Sequence, residues 1–429
     1  MLDLKWIKEN ADQVQWTAEQ KGIQLSVTKL LELDRTRRQL LQEIEQRRAD
    51  RNRLTGQVRE AMLLELNDEV RRLQENVREN NDVLSNQKLE LTRLEQELRE
   101  LMLLVPNSVS PDTPIGASDQ DNVLVRSVGT PREILFPLLD HTTLGQLHGL
   151  IDIPRGVKTA GSRNYYLRGA GVRLHRAVQE LALDLLSKKG FELLEVPLMV
   201  REEALVHTGF FPLGMDQTYR IQDEDRWLVG TSEVPLINYY SDEILDLRKP
   251  LKLAASSTCF RSEVGSAGRD VNGLYRVHQF AKVEQVVICE NDPALSEELL
   301  QEITANAEEL LQLLELPYRV MAVCIGDMSQ KTYKQYDIET WMPSRNSYGE
   351  THSSSNVHEF QARRSNLRFR DKDGRLAYCH TLNNTAVASP RILIPLLENH
   401  QQEDGSILIP EALRPYMQGL ERLVPPSSL

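Results

Sequence analysis

Cysteine is scarce in this 429-residue chain: Cys259, Cys289, Cys324 and Cys379 lie far apart, with no CxxC pair. That spacing argues against a zinc site or a disulfide framework and fits the reducing cytoplasm, where each thiol packs as a small apolar side chain. No apolar run approaches the roughly 20 residues of a membrane span. The opening "MLDLKWIKENADQ" lacks a basic stretch followed by an apolar one, so no secretory signal is expected. Basic residues are the minority, 51 against 63 acidic, for a formal net charge of -12. That balance argues against a surface coated in nucleic acid, though not against a local basic face. What remains is the composition of a globular protein, 40% hydrophobic and 27% charged, with room for two or three domains.

Proline is missing from residues 28–104, and glycine occurs there once, at Gly56. The same stretch is dense in Leu, Glu, Arg and Gln. In its second half, Val70, Leu73, Val77, Leu84, Leu91, Leu94, Leu98 and Leu101 follow a 3-4 spacing, with Asn80 and Gln87 at the two remaining seam positions. In its first half, Leu30, Leu33, Leu40, Ile44, Leu54 and Val58 keep the rhythm, with Arg37, Arg47 and Arg51 on the seam. Folding back at about residue 64 sets Ile44 opposite Leu84, Leu54 opposite Leu73 and Arg47 beside Asn80. The reading is an antiparallel two-helix coiled coil of roughly 50 Å. Between Arg35 and Glu60 eight arginines face four acidic residues. On composition alone a solvated helix face is the leading reading and an arm that tracks a phosphate backbone the sharper one, with Arg37, Arg47, Arg48 and Arg51 as candidate contacts.

"LLVPNSVSPDTPIGASDQDN", 103–122, ends the coil and has the Pro, Gly, Ser and Asp content of a linker. The expected division is an N-terminal domain over 1–105 that carries the arm, a linker over 106–122 and a mixed domain over 123–429. Residues 1–27 read as a short helical cap. "GVRLHRAVQELALDLLSKKG" reads as an amphipathic helix ended by Gly190, followed by a strand, "FELLEVPLMV", interrupted at Pro197. That pair serves either as core or as a subunit-packing element.

The chemistry concentrates in "CFRSEVGSAGRDVNGLYRVHQFAKVEQVVIC", 259–289, which reads as two strands joined by a glycine-rich turn. Alternation puts Arg261 and Glu263 on one face, and His278, Phe280, Lys282 and Glu284 on one face of the returning strand. Charges on a half-buried sheet need partners or a ligand. Arginine forks onto phosphate or carboxylate, an aromatic plane stacks on a base, and a carboxylate takes an ammonium or hydroxyl. Gly265, Gly268 and Gly273 let the loop approach a ligand, with Arg269 available for a phosphate. Structural ion pairs are the competing reading. "WLVGTSEVPL" adds Thr231, Ser232 and Glu233 after a strand. "LNNTAVASPRILIPLLENH" sets Arg391 among apolar residues, near a helix start at Ser389 and Pro390, with Pro395 expected to kink or interrupt that helix.

Arg261-Ser262-Glu263, the "GSAGRD" loop and "HQFAKVE" together resemble motif 2 of class II aminoacyl-tRNA synthetases, and "LNNTAVASPR" resembles motif 3. The helix and strand ending at Pro197 look like motif 1, which builds the dimer interface. Within that class the chain resembles the seryl-tRNA synthetases over nearly its whole length, through "MLDLKWIKEN", the arm, "TPRE", "GTSEVPL", "FRSEVGSAGRD", "YDIETWMP", "FQARR", "LENHQ" and "LRPYM" in order. The resemblance implies an α+β fold, with a coiled-coil arm followed by a catalytic domain on a mostly antiparallel sheet flanked by helices. It implies activation of L-serine by ATP and transfer to tRNA(Ser), with tRNA(Sec) a further candidate, by a cytoplasmic homodimer whose arm meets the variable arm of the tRNA.

The resemblance also assigns roles. Arg261 would bind the α-phosphate of ATP and the serine carboxylate. Glu263 would meet the adenine, stacked between Phe280 and Arg391, with Arg391 also reaching the γ-phosphate. Ser262 and Arg269 would join the ATP contacts. Glu350 and Ser353 would hold Mg²⁺, with Thr351 and His352 beside them. Thr231, Ser232, Glu233, Glu284, Asn383 and Thr385 would take serine. Arg261, Glu284 and Arg391 would carry the chemistry.

Some positions depart from the family pattern. Thr351 and His352 stand where Val or Ile and Ser are frequent, Thr385 where many members have Ser, and "SPR" replaces a common "VGR". No cysteine matches the zinc-dependent variant, so no zinc is expected. A ligase loading a carrier protein, or a non-catalytic paralogue, are the alternatives. The first lacks the arm, and the second predicts loss of Arg261, Glu284, Glu350 or Arg391, all of which are present.

Overall fold

A computed structural model describes residues 1–264 and 273–426. The chain divides into two compact units, Asp3–Val105, and Pro106 onward together with Met1–Leu2. Among the described residues no helix is long and apolar enough to cross a membrane.

In the first unit two short helices, α1 (Leu4–Glu9) and α2 (Ala11–Gln20), precede the arm helices α3 (Val27–Leu63) and α4 (Asn67–Leu104). Ser26 caps α3 by accepting the amide of Lys29, and the chain reverses over Leu64–Leu66, with Glu65 at φ 56°. The 37 residues of α3 correspond to about 55 Å of helix. Ile44, Leu73, Leu84, Leu94 and Leu98 are buried in the seam. Asn80 Nδ2 donates to the Arg47 carbonyl at 3.0 Å, and Gln87 Nε2 donates to Glu43 at 2.9 Å, which fixes the antiparallel register expected from the spacing. The arm arginines are largely occupied on their own helix: Arg37 pairs with Asp34 at 2.9 Å, Arg48 with Glu45 at 2.5 Å, and Arg51 donates to Asn52. The exposed Arg48–Glu45 pair contributes little and exchanges readily for another anion, whereas Asp34 is buried beneath Arg37.

The second unit is built on an eight-stranded sheet. In chain order its strands are β1 (Val123–Val128), β2 (Glu192–Leu193), β3 (Leu251–Phe260), β4 (Gln279–Cys289), β5 (Tyr318–Ala322), β6 (Lys334–Met342), β7 (Ser347–His358) and β8 (His380–Ser389). The spatial order is β1-β5-β6-β7-β8-β4-β3-β2, antiparallel throughout except for the β2–β3 pair. Helices α5 (Ala170–Lys188) and α7 (Pro293–Leu313) supply Leu174, Val178, Leu300, Ile303 and Leu310 to the core, which includes Val283, Val287 and Cys289 of β4. Those strand residues share one face by alternation. Val286 and Ile288, on the other face, join a second cluster with Leu236 and Ile237 of α6 (Glu233–Asn238) and Ala362 of α8 (Phe360–Ser365). With both flanks of β4 covered, the remainder of that second face is left for the site.

Two local readings change, and a third gains detail. The segment 106–122, expected as a linker, packs along the second unit. Asn107 is buried, its side chain donates to the carbonyls of Lys331 and Val357, and the amides of Ile325 and Gly326 bond to Pro114 and Gly116. Its prolines suit an extended strip whose polar groups are satisfied by the domain it crosses. The stretch around Pro197 is interrupted as expected, and its halves enter different sheets, Glu192–Leu193 beside β3 and Met199–Val200 beside Trp227–Leu228. The helix beyond Arg391, α9 (Leu393–His400), starts after Pro390 and has Pro395 in its first turn, where an amide has no intrahelical partner to lose, so the helix runs on without interruption.

Candidate active site

Strand β4 is the floor of the site. Opposite Glu284 lie Ala255 on β3 and Thr385 on β8, and opposite Lys282 lie Ser257 and Ala388. Side chains this small beside two long ones leave space above the sheet, and a cavity of about 360 Å³ opens there. Two β-bulges aim further groups into it. Glu350 and Ser353 are three apart, so plain alternation would put them on opposite faces of β7. The extra residue Thr351 pairs Glu350 with Glu339 and Ser353 with Asp337, which brings both to the cavity. The register shift at Ala386 does the same for Thr385 and Ala388.

One end of the cavity holds a buried quartet of charges. Glu284 pairs with Lys282 at 2.6 Å and accepts from the Thr385 hydroxyl at 3.3 Å. Glu233, the first residue of α6, accepts through Oε1 from Lys331 at 2.5 Å, Gln361 at 2.7 Å and Asn383 at 2.9 Å. The Lys331 ammonium also lies 4.2 Å from the Phe210 ring centroid. Burial raises the Glu284 carboxyl, opposed by Lys282, and burial lowers the Lys331 amine, opposed by Glu233. Thr231 lines this end and accepts the Glu233 amide through its hydroxyl.

The other end is rich in arginine and aromatic rings. Arg261 stands over Phe280, 5.3 Å from its centroid. Strand β3 ends at Phe260, so strand alternation does not govern Arg261 and Glu263. Glu263 has φ 53° and reaches the cavity paired with Arg276 at 2.7 Å. Arg391 donates to the carbonyls of Tyr275 and Glu350 and lies 4.6 Å from the Tyr275 ring, which Arg345 also covers at 4.2 Å. A carboxylate neighbour that its own segment does not show is present, Glu350 at 3.9 Å. Beside it, burial and the charge of Glu350 push the Asp337 carboxyl up to about 8. His352 is buried, bonded through Nδ1 to the Thr351 hydroxyl at 2.7 Å, and burial lowers it to about 3.

Of the residues expected from sequence, Thr231, Glu233, Arg261, Glu263, Phe280, Glu284, Glu350, Thr351, His352, Ser353, Asn383, Thr385 and Arg391 line this one cavity. Ser262 does not; its hydroxyl donates to the Asp216 carbonyl at 2.7 Å and its amide to Gln217, pinning the loop. Ser232 is buried behind the site, near the Ala255 carbonyl. Arg269 lies outside the described residues. Lys331, Tyr275, Arg276 and Gln361 were not anticipated. Strand β4 begins only at Gln279, so alternation carries no signal for Tyr275 and Arg276, and nothing local marks Lys331 or Gln361.

Comparison with known proteins agrees with this arrangement. The family described as seryl-tRNA synthetase N-terminal domain matches residues 1–109, and tRNA synthetase class II core domain (G, H, P, S and T) matches residues 218–400. The serine--tRNA ligase of Deinococcus radiodurans is 43% identical, over 99% of this chain and 100% of its own. That of Rubrobacter xylanophilus is 41% identical, over 97% and 98%. The crystal structure of seryl-tRNA synthetase from Pyrococcus horikoshii complexed with ATP superposes with a TM-score of 0.90 at 36% identity, covering 99% of this chain and 100% of the other. The cytoplasmic enzyme of Naegleria fowleri in complex with AMP gives 0.85 at 28%, covering 99% and 97%. Arm and sheet domain thus find their counterpart in one family, and the chain belongs to the seryl-tRNA synthetases.

Proposed function

We propose that the cavity activates L-serine with ATP and passes the seryl group to tRNA(Ser). The observation that carries this is the pairing, in one pocket, of a carboxylate-and-hydroxyl end (Glu233, Glu284, Thr231, Thr385) with an arginine-and-aromatic end (Arg261, Phe280, Arg391, Tyr275). Serine is a zwitterion with one hydroxyl. Its ammonium and hydroxyl suit Glu284 and Thr385, and its carboxylate suits Arg261.

The first step is in-line attack of that carboxylate on the α-phosphorus, with pyrophosphate leaving. Arg261 draws both anions to one point, so positioning and charge stabilisation replace a protein nucleophile. Phe280 and Arg391 offer planes on which the adenine stacks, and Arg391 a fork for a terminal phosphate. Glu350 and Ser353 are oxygen donors facing the nucleotide end, the donor type a Mg²⁺ ion takes. These two residues would hold the ion, and when bound it neutralises phosphate charge. In the second step a ribose hydroxyl of the tRNA attacks the adenylate carbonyl and releases AMP. The polar groups around Glu284 disfavour alanine, which leaves them unpaired.

The arm is the part proposed to hold tRNA, through phosphate contacts by Arg37, Arg47, Arg48 and Arg51. A homodimer is proposed with it, because Leu193 and Met199 are large exposed apolar residues on the strand segments that follow α5. Both tRNA and ATP are found in the cytoplasm, which is where the enzyme is proposed to act.

The test is ATP–pyrophosphate exchange with each of the twenty amino acids, followed by charging of tRNA(Ser). Exchange should require serine, and charging should follow. Exchange driven by another amino acid, or by none, would overturn the reading.

A further inference from the structure

Lys331 is built into the amino-acid end more firmly than a chance ion pair requires. Its carbonyl is held by Asn107 at 2.9 Å, and its stem lies against Gly209, where an added Cβ would stand 3.1 Å from Lys331 Cβ. Its ammonium rests between Glu233 and the Phe210 ring. Glu233 Oε1 already accepts from two neutral amides, Gln361 and Asn383. Hydrogen-bond satisfaction therefore does not need Lys331; what the lysine adds is charge. With it, two buried carboxylates, Glu233 and Glu284, face two buried ammonium groups, Lys331 and Lys282, and the end is balanced.

We propose that Lys331 is a specificity-determining residue, which sets this balance so that the pocket rejects amino acids carrying a second positive charge. The proposal rests on the serine reading above. A serine zwitterion is neutral and leaves the count unchanged. An amino acid with an ammonium in place of the hydroxyl brings an uncompensated positive charge into a water-poor space, where it is strongly disfavoured. Without Lys331 the end has one negative charge in excess, and the same ammonium restores the balance.

The probe is L-2,3-diaminopropionate, of serine's size with an amine replacing the hydroxyl, in ATP–pyrophosphate exchange by the full-length enzyme at a pH of about 6, where both vicinal amines are protonated despite their mutual repulsion. Wild type should use it at least about a hundredfold less efficiently than serine. In Lys331→Gln, which keeps a hydrogen-bond donor for Glu233 and removes the charge, that ratio should narrow by at least about tenfold, while Lys331→Arg keeps the wild-type ratio. A merely structural lysine would lower the melting temperature and exchange with both substrates without moving the ratio. The proposal is overturned when wild type uses the two amino acids within about tenfold, or when a folded Lys331→Gln protein keeps the wild-type ratio. The wild-type comparison stands even should the variant fail to fold. Absence of serine exchange in wild type is a separate failure, that of the serine reading itself.

Discussion

Glu284→Gln is the most discriminating single change. The substitution keeps the shape of a side chain that is 2% exposed, and it leaves an amide oxygen able to accept from Lys282, 2.6 Å away in the native pair. What it removes is the charge and the second acceptor oxygen, which becomes an NH₂ group aimed at a substrate that needs an acceptor. A hydrogen bond between charged partners contributes about 1.5–3 kcal/mol, so kcat/KM for serine should fall by about 10- to 150-fold. Lys282, itself buried, loses its anion, a loss that costs about 3–5 kcal/mol when a buried pair is broken outright. The retained amide oxygen and the raised carboxyl of the native residue put the expected loss of stability at the low end of that range. The assay is ATP–pyrophosphate exchange with serine varied at saturating ATP, then ATP varied at saturating serine, alongside thermal denaturation. The serine parameters should move and KM for ATP should hold within about twofold. An unchanged kcat/KM for serine, or equal losses toward both substrates, would refute the assignment of Glu284 to the amino acid.

Three further outcomes follow. Arg391→Lys keeps the charge but loses the planar fork that lies over Tyr275, so KM for ATP should rise by about tenfold or more in the exchange assay while KM for serine holds. Ile44→Asp puts a charge into an arm seam where the native residue is 1% exposed; far-UV circular dichroism should lose helix and tRNA(Ser) charging should collapse, with serine exchange within about twofold of wild type because the cavity residues lie between 210 and 391. Burial lowers His352 and His358 to about 3 and His175 and His380 to about 4, so at these four sites the unfolded chain takes up protons below about 6.5 that the folded one refuses. Stability is therefore complete above that pH and falls as pH drops toward 4, by about 1.4 kcal/mol per unit for each histidine, and denaturation midpoints between pH 7.5 and 5 should show His352→Ser with a slope shallower by about one proton.

The parts of the fold that were legible are those set by local periodicity. The 3-4 spacing from Val70 to Leu101 fixed the arm, and because an antiparallel seam has one register that pairs its polar interruptions, Arg47 against Asn80 could be named before any coordinates. The floor of the site was legible for a similar reason: alternation in "FAKVE" put Phe280, Lys282 and Glu284 on one face. Alternation failed where the strand did. Beyond Phe260 the chain turns, Glu263 takes a left-handed conformation, and Ser262 is drawn to Asp216. It would also have misplaced Glu350 relative to Ser353, because a bulge leaves no dependable mark in composition.

Lys331 was illegible for a different reason, and the reason bears on how this pocket works. It reaches Glu233 across 98 residues of sequence, and Gln361 reaches the same oxygen across 128. No local pattern selects a lysine there, since it sits in the loop between β5 and β6. A charge that no motif demands, yet is held by Asn107, Gly209 and Phe210, answers to the electrostatics of the cavity rather than to secondary structure. A site proposed to position two anions near one arginine gains little from further positive charge at its far end unless that end already carries negative charge to balance. Glu233 and Glu284 supply that negative charge, and the two lysines return it to zero. On the proposed reading the pocket recognises a neutral zwitterion by being neutral itself, with orientation assigned to Arg261 at one end and to the Glu284–Thr385 pair at the other.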